Sequence, residues 1–117
     1  MSEIQRLHAG SRFSECSIHA GALYLAGQVA AGRQRSIDEQ TTEVLADVER
    51  LLIEAGSDKS RILMAQIFLA DMSDYAGMNA VWDAWVAQDS APSRATVQAR
   101  LADPAWKIEI VVTAAVT

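Results

Sequence analysis

One arginine and one glutamate stand out because each lies in a short stretch that predicts a β-strand. Arg94 follows Pro92 at the start of an alternating run, and Glu109 lies between two isoleucines in the run 107–110. Proline fixes its own φ and restricts the residue before it, so Arg94 leaves a stiff corner. A guanidinium held in this way can bind a carboxylate through two parallel hydrogen bonds. A glutamate that does not meet this arginine can hold a water molecule, so the pair predicts a hydrolytic site for small carboxylic acids.

Both residues also have an ordinary alternative. Arg94 shares one strand face with Thr96 and Gln98, which is unusually polar for a strand that only packs, but strand-entrance arginines are commonly solvated surface charges. Glu109 could be an edge glutamate that alternates outward and pairs with Lys107 or Arg100. The sequence alone leaves both alternatives open.

Composition and charge limit the kinds of protein and partner that this chain is expected to represent. The chain has 117 residues, of which half are hydrophobic and 21% are charged, so we expect one globular domain over residues 1–117. The net charge of −5 argues against a nucleic-acid partner, because such proteins usually carry a basic face. The lone Cys16 excludes an internal disulfide and fits a reducing compartment. Because no signal peptide and no apolar run of about 20 residues is evident, we predict a cytoplasmic protein without a membrane partner.

Hydrophobic spacing predicts the elements that carry the two residues. Ser36 and Glu39 form a capping box at the start of an amphipathic helix, for which Gly56 is a natural stop. The predicted order β-β-β-α-β-α-β-β consists of strands 4–7, 17–19 and 23–29, a loop 30–35, the helix from residue 37, strand 61–70, a helix from 71–73 to about 88, and strands 94–101 and 107–115. Strand 61–70 is nearly all apolar, which predicts a central strand covered on both faces. Tyr75 is predicted to face inward on the second helix.

Two helices cannot cover both faces of such a sheet, so we expect both on one face. The other face would expose apolar side chains, which predicts a homo-oligomer. If the last two strands form a hairpin around residues 102–106, Arg94 and Glu109 lie about 17 Å apart along the strands. One small ligand can then reach both only where neighbouring subunits meet, so a shared site would be an interface site.

Four motifs are spread over nearly the whole chain: Ala26-Gly27-Gln28-Val29, Phe68–Tyr75 with Asn79, Pro92-x-Arg94 and Lys107-Ile108-Glu109-Ile110. Together they resemble the Rid family, the reactive intermediate deaminases also called YjgF. The YoaB branch is especially similar, through 67–71, 82–86 and 91–99. The resemblance implies an α+β fold with a chorismate-mutase-like mixed sheet and a homotrimer with three clefts between subunits.

The resemblance also implies an activity, the hydrolysis of reactive imines or enamines such as 2-aminoacrylate to a 2-keto acid and ammonia. Arg94 matches the arginine that clamps the substrate carboxylate, and Glu109 matches the acid that positions water. Gly27 matches the backbone that faces the ligand, and Asn79 matches the asparagine of the second helix. No metal or organic cofactor is implied, and the two histidines lack the spacing of a metal site.

The chain departs from the family pattern at three places. Ala26 replaces a serine, Thr96 replaces a cysteine, and the first segment offers Phe13 and Cys16 where deaminase members carry a tyrosine. The arginine that clamps the carboxylate therefore matches the family pattern, whereas the polar residues that line the family site are partly replaced. The alternative function is a non-catalytic trimer that binds 2-keto acids. A ribonuclease is a weaker alternative, because the chain is acidic and offers no histidine acid–base pair.

Overall fold

The computed structural model describes residues 3–31 and 35–116, and the predicted loop 30–35 lies partly outside them. Within these ranges the chain forms an α+β domain whose elements follow the predicted order. They are β1 (Gln5–Ala9), β2 (Ser14–His19), β3 (Ala22–Leu25), α1 (Ile37–Glu54), β4 (Ile62–Leu69), α2 (Tyr75–Trp85), β5 (Ser93–Gln98) and β6 (Ile108–Ala115). Neither helix in this part of the chain has the length and apolar content needed to cross a bilayer.

The strands form one mixed sheet in the order β1-β2-β3-β6-β4-β5. Strand β5 pairs with β4 in parallel, and the other pairs are antiparallel. The predicted hairpin between the last two strands is therefore wrong, because β4 lies between them. The apolar β6 takes an interior position with a hydrogen-bonded neighbour on each side, whereas the more polar β5 forms an edge.

The β2–β3 hairpin closes through a two-residue turn. Ala20 and Gly21 have φ values of 52° and 82°, as a turn of type I′ requires. The predicted third strand ended at residue 29, but β3 ends at Leu25. The chain then leaves the regular ladder and returns for a single bridge, in which Gln28 pairs with Ile110 of β6.

Both helices cover the same face of the sheet, as predicted. Helix α1 begins with the predicted capping box, in which the Ser36 hydroxyl and the Glu39 side chain each bond the other residue's backbone N–H. It ends before Gly56, whose φ of 88° suits glycine. The main core lies between the helices and the sheet and includes Val44, Leu45, Val48, Leu51, Leu52, Ala65, Ile67, Leu69, Ile108, Ile110 and Val112.

Helix α2 is shorter than predicted. A 3₁₀ turn (Met72–Asp74), capped by the Asp71 carboxylate, precedes it, and the helix ends at Trp85 instead of Gln88. Tyr75 is its first residue and is 42% exposed, so the prediction that this side chain faces inward is wrong. The physical reason is its position beside the edge strand β5, where little covers it.

The opposite face of the sheet is open in the single chain. The prediction that β4 is covered on both faces is wrong. Its Ala65, Ile67 and Leu69 are buried against the helices, but Met64 and Phe68 on the other face are only partly buried. On the same open face, Val97 of β5 is 47% exposed and Val111 of β6 is half-buried. These side chains form an apolar surface that a second copy of the chain would cover, so the predicted oligomer stays a physically motivated prediction.

A buried glutamine joins α1 to the segment between β5 and β6. Gln40 is fully buried, its Nε2 donates to the carbonyl of Ala105 at 3.0 Å, and its Oε1 accepts from the backbone N–H of Lys107 at 2.9 Å. The side chain thus satisfies one donor and one acceptor of the segment that leads directly into β6.

We expect Gln40→Leu to lower the free energy of unfolding by about 2–4 kcal/mol, because a partly buried carbonyl and a partly buried N–H lose the partner that a fully buried side chain supplies. Urea unfolding measures this change. Gln88→Leu is the matched control, since Gln88 is exposed and makes only one long hydrogen bond, and it should change stability by less than about 0.5 kcal/mol. Equal stability of the two variants would contradict the role of Gln40.

Candidate active site in two clusters

The first group lies where the edge strand β5 meets α2, and we call it the arginine cluster. It consists of the predicted site residues Arg94, Thr96 and Asn79 together with Tyr75 and Trp82 of α2. Arg94 is in register with Ala65 of β4, which is fully buried under the helices, so Arg94 points to the helix-covered side. The three helical residues share one helix face, because they lie four and three positions apart.

The guanidinium of Arg94 rests against two aromatic rings of α2. Its Cζ lies 5.3 Å from the Trp82 ring centroid and 5.9 Å from that of Tyr75, and Nη2 donates a long hydrogen bond of 3.3 Å to the Tyr75 hydroxyl. No acidic side chain in residues 3–31 and 35–116 forms an ion pair with Arg94. The guanidinium is half-buried and is oriented by the two rings and the Tyr75 hydroxyl. Among the described residues its charge has no acidic partner.

Two polar atoms of the arginine cluster are buried without a partner. Thr96 Oγ1 and Asn79 Oδ1 make no hydrogen bond to any residue that the structure describes. Arg94 and Thr96 line a pocket of about 370 Å³ together with Met72 and Tyr75. Because buried polar groups are normally bonded, these atoms indicate a site that a ligand, water or another subunit completes.

The second group lies between the end of β3 and β6, and we call it the glutamate cluster: Ala26, Gly27, Gln28 and Glu109. The backbone of Gln28 bonds that of Ile110 in both directions, at 2.9 and 3.1 Å. Gln28 is buried, with 6% of its surface exposed, and its side-chain Nε2 donates a hydrogen bond of 3.0 Å to the carbonyl of Ala26. These bonds fix the segment 26–28 beside Glu109.

Gly27 leaves the space that the Glu109 side chain occupies. A Cβ atom at this position would overlap Oε2 of Glu109 and would lie 2.9 Å from its Cδ. The carboxylate therefore lies directly over the glycine backbone, where any side chain at residue 27 would displace it. The alternative in which Glu109 pairs with Lys107 or Arg100 is not seen, since no base among the described residues lies within ion-pair distance of its carboxylate.

Within one chain the two clusters lie apart and on opposite faces of the sheet. Glu109 alternates with the buried Ile108 and Ile110, so it points to the open face, whereas Arg94 points to the helices. Glu109 is opposite Phe68, and Arg94 is opposite Ala65, so they are about 10 Å apart along the strands and about 10 Å apart across them. The prediction that Arg94 and Glu109 lie too far apart within one chain to share a small ligand is confirmed. The hairpin of the last two strands from which it was derived is not present.

A pocket larger than the one beside Arg94 does not coincide with either cluster. It has a volume of about 680 Å³ and is lined by Gln98, Arg100, Asp103, Trp106 and their neighbours, none of which is a predicted site residue. It is a concavity beneath the β5–β6 connection in an isolated chain. The clusters are the stronger candidates because they combine an unpaired cation, a carboxylate and unpartnered polar atoms.

Sequence reasoning missed Tyr75, Trp82 and Gln28 as members of the clusters. Tyr75 lies four residues before Asn79, and that spacing was the available signal that the two share a helix face. Other titratable candidates do not join the clusters. Burial raises the pKa of the Cys16 thiol, which keeps it protonated and unreactive. In the described part of the chain no three His, Cys, Asp or Glu side chains form a group that could hold a metal ion.

Known proteins that are similar in sequence indicate one family. Residues 3–116 match the family described as Endoribonuclease L-PSP. A RutC family protein of Haemophilus influenzae is 55% identical over 112 residues, which cover 95% of this chain and 97% of that protein. The RutC family protein YoaB of Escherichia coli K12 is 47% identical over 113 residues, which cover 97% and 98% of the two chains.

A solved structure has the same fold. NMB1025 of Neisseria meningitidis, a member of the YjgF protein family, superposes with a TM-score of 0.95 at 46% identity and covers 98% of this chain and 96% of its own. The mixed sheet with two helices on one face is thus the α+β fold of this class of protein. The chain belongs to the RutC/YjgF/Rid family, and the likeness to YoaB that its motifs predicted is confirmed.

Proposed function

We propose that this chain is a hydrolytic deaminase of reactive imines and enamines, such as 2-aminoacrylate and related 2-imino acids, that releases a 2-keto acid and ammonia. The observation that carries the proposal is the half-buried Arg94 guanidinium, oriented by two aromatic rings and without an acidic partner among the described residues. Such a guanidinium suits the carboxylate common to all these substrates.

The chemistry needs little beyond position and one base. Arg94 holds the substrate carboxylate, while Thr96 and Asn79 supply polar groups beside it. Glu109 orients a water and accepts its proton as the oxygen attacks the imine carbon. That proton then passes to the nitrogen, which gives a carbinolamine. The second proton of the original water moves from the carbinolamine hydroxyl through the Glu109 carboxylate to the nitrogen, the C–N bond breaks, and ammonia leaves as the C=O group of the keto acid forms. An enamine enters this sequence after it tautomerises to the imine. The imine is already electrophilic, so positioning and general-base catalysis suffice, and we propose no cofactor.

The proposed assembly is a homotrimer with sites at the subunit interfaces. Its support is that the arginine cluster and the glutamate cluster lie on opposite faces of one sheet, so a single chain cannot bring both to one small molecule. The apolar open face around Phe68 and Val97 gives the chain a surface to bury against a neighbour. In each interface Arg94 of one subunit would meet Ala26, Gly27 and Glu109 of the next. A cytoplasmic location stays a prediction.

The proposal is tested with freshly generated 2-iminopropionate by measuring the rate of pyruvate release. We expect the protein to accelerate release above the buffer rate. A non-catalytic module that binds 2-keto acids is the second candidate, and the apolar Ala26 in the glutamate cluster favours it. Release at the buffer rate, combined with thermal stabilisation by pyruvate, would support that module and reject the enzyme.

A ribonuclease activity has less support in this chain. Neither cluster contains a histidine, and the two histidines lie on β1 and β2, at the sheet edge opposite to β5. The net charge of −5 also disfavours binding of a polyanion. A carboxylate substrate of low charge fits the arginine cluster better.

We expect Gly27→Ala to lower kcat roughly 10- to 100-fold, because the new methyl group forces the Glu109 carboxylate away from the reacting water. Steady-state kinetics on 2-iminopropionate measure the loss. The double variant Gly27→Ala/Glu109→Gln provides the control. If glycine acts through the carboxylate, the double variant is no slower than Glu109→Gln alone, whereas multiplied losses would contradict this.

A further inference from the structure

We propose that the hydroxyl of Tyr75 is a further binding group, which donates a hydrogen bond to the substrate carboxylate beside Arg94. The inference rests on the proposed function and deepens it, because it adds a third donor to the carboxylate site. Neither the motifs nor the comparisons assign a role to this tyrosine.

The direction of the bond between the two side chains carries the argument. A guanidinium can only donate, so in the 3.3 Å contact Arg94 Nη2 is the donor and the Tyr75 hydroxyl oxygen is the acceptor. The proton of that hydroxyl is therefore free to point elsewhere. Tyr75 is 42% exposed and lines the same pocket as Arg94 and Thr96, so a free O–H and free guanidinium N–H groups open onto one space.

A carboxylate fits this set of donors. Its two oxygens offer about four acceptor sites, of which a guanidinium fork occupies two. A phenol O–H at the edge of the fork can occupy a third and adds no charge. The arrangement would favour a carboxylate over its neutral amide or ester, because those have fewer acceptor sites and no charge.

The aromatic ring and the hydroxyl can be separated by mutation. The rings of Tyr75 and Trp82 both lie against the guanidinium, at 5.9 and 5.3 Å from Cζ. Tyr75→Phe keeps both ring contacts and removes only the oxygen, so Arg94 keeps its aromatic support. Tyr24→Phe is the matched control for loss of a tyrosine hydroxyl, because Tyr24 is the only other tyrosine of the chain and, unlike Tyr75, does not line the pocket of Arg94 or belong to either cluster.

We expect Tyr75→Phe to raise the KM for 2-iminopropionate and the Kd for pyruvate roughly 5- to 10-fold, with kcat changed less than about 2-fold. Tyr24→Phe should leave all three values unchanged. If the native chain turns over the imine and binds pyruvate but Tyr75→Phe matches it, the role of Tyr75 is overturned while the proposed function stands. If the native chain neither turns over the imine nor binds pyruvate, both are overturned.

A second measurement separates a donor to the substrate from a group that only holds Arg94. In a Tyr24→Phe background Tyr75 is the only tyrosine, so 3-fluorotyrosine can be incorporated there alone. Fluorine strengthens the O–H as a donor and weakens the oxygen as an acceptor. Below the pKa of the modified phenol, we expect pyruvate to bind more tightly. Weaker binding would overturn the donor role.

Discussion

Replacing Arg94 with alanine is expected to lower kcat/KM for 2-iminopropionate roughly 10²- to 10³-fold and to raise the Kd for pyruvate by a similar factor. Loss of two charge-assisted hydrogen bonds to a carboxylate corresponds to about 3–4 kcal/mol. The fold should survive, because the variant removes only the contacts of Arg94 with two aromatic rings and its long hydrogen bond to the Tyr75 hydroxyl, a change of about 1 kcal/mol in stability. Kinetics, calorimetric titration with pyruvate and urea unfolding measure the three quantities.

Arg50→Ala is the matched control for this variant. The Arg50 side chain is 62% exposed on α1, where it pairs with Asp47, far from either cluster in the chain. It should leave kcat/KM and pyruvate binding unchanged. An Arg94→Ala protein that unfolds would identify a structural arginine, and one that binds pyruvate normally would remove the carboxylate clamp from the mechanism.

Glu109→Gln is expected to lower kcat roughly 10²- to 10⁴-fold with little change in pyruvate binding. The amide keeps the size of the side chain above Gly27 but cannot accept a proton from water, so only general-base catalysis is lost. Single-turnover and steady-state kinetics give kcat, and calorimetric titration gives the Kd of the product.

Glu3→Gln serves as the control, since Glu3 is exposed near the start of the chain and belongs to neither cluster. It should behave as the native protein. A Glu109→Gln variant with native kcat would show that this carboxylate does not activate water, and a large increase in the Kd for pyruvate would move its role to binding.

Local sequence patterns were sufficient for the elements of the fold. The Ser36–Glu39 capping box, Gly56 and the apolar spacing between them defined α1 to within a residue or two, because these signals act over one or two helical turns. The alternation in β5 likewise put Arg94 and Thr96 on one face. Strand neighbours depend on pairing between distant segments, so the position of β4 between β5 and β6 could not be read in the same way.

The candidate site was predictable residue by residue but not as an arrangement. Arg94 and Glu109 were recognisable from their chemistry and their flanking residues. Their assignment to opposite faces required the register of β5 and β6 on β4, and the overlap of Gly27 with Glu109 required a bridge outside the regular strands. Tyr75 was assigned to the core because helical spacing alone does not reveal that the adjacent strand is an edge.

The central claim is that each site combines Arg94 of one subunit with Glu109 of its neighbour. It is tested by mixing the Arg94→Ala and Glu109→Gln proteins, each nearly inactive alone, under conditions of subunit exchange. In a ring with random mixing, about one quarter of the interfaces would join an intact arginine from one variant to an intact glutamate from the other.

The measurement is kcat/KM for 2-iminopropionate before and after exchange, with mass spectrometry of the intact assemblies to verify that mixed species have formed. The two-subunit site predicts that activity rises from the level of the separate variants to about one quarter of the native value. If mixed assemblies form and activity stays at the level of the separate variants, Arg94 and Glu109 of neighbouring subunits do not form one site, and the interface site is contradicted.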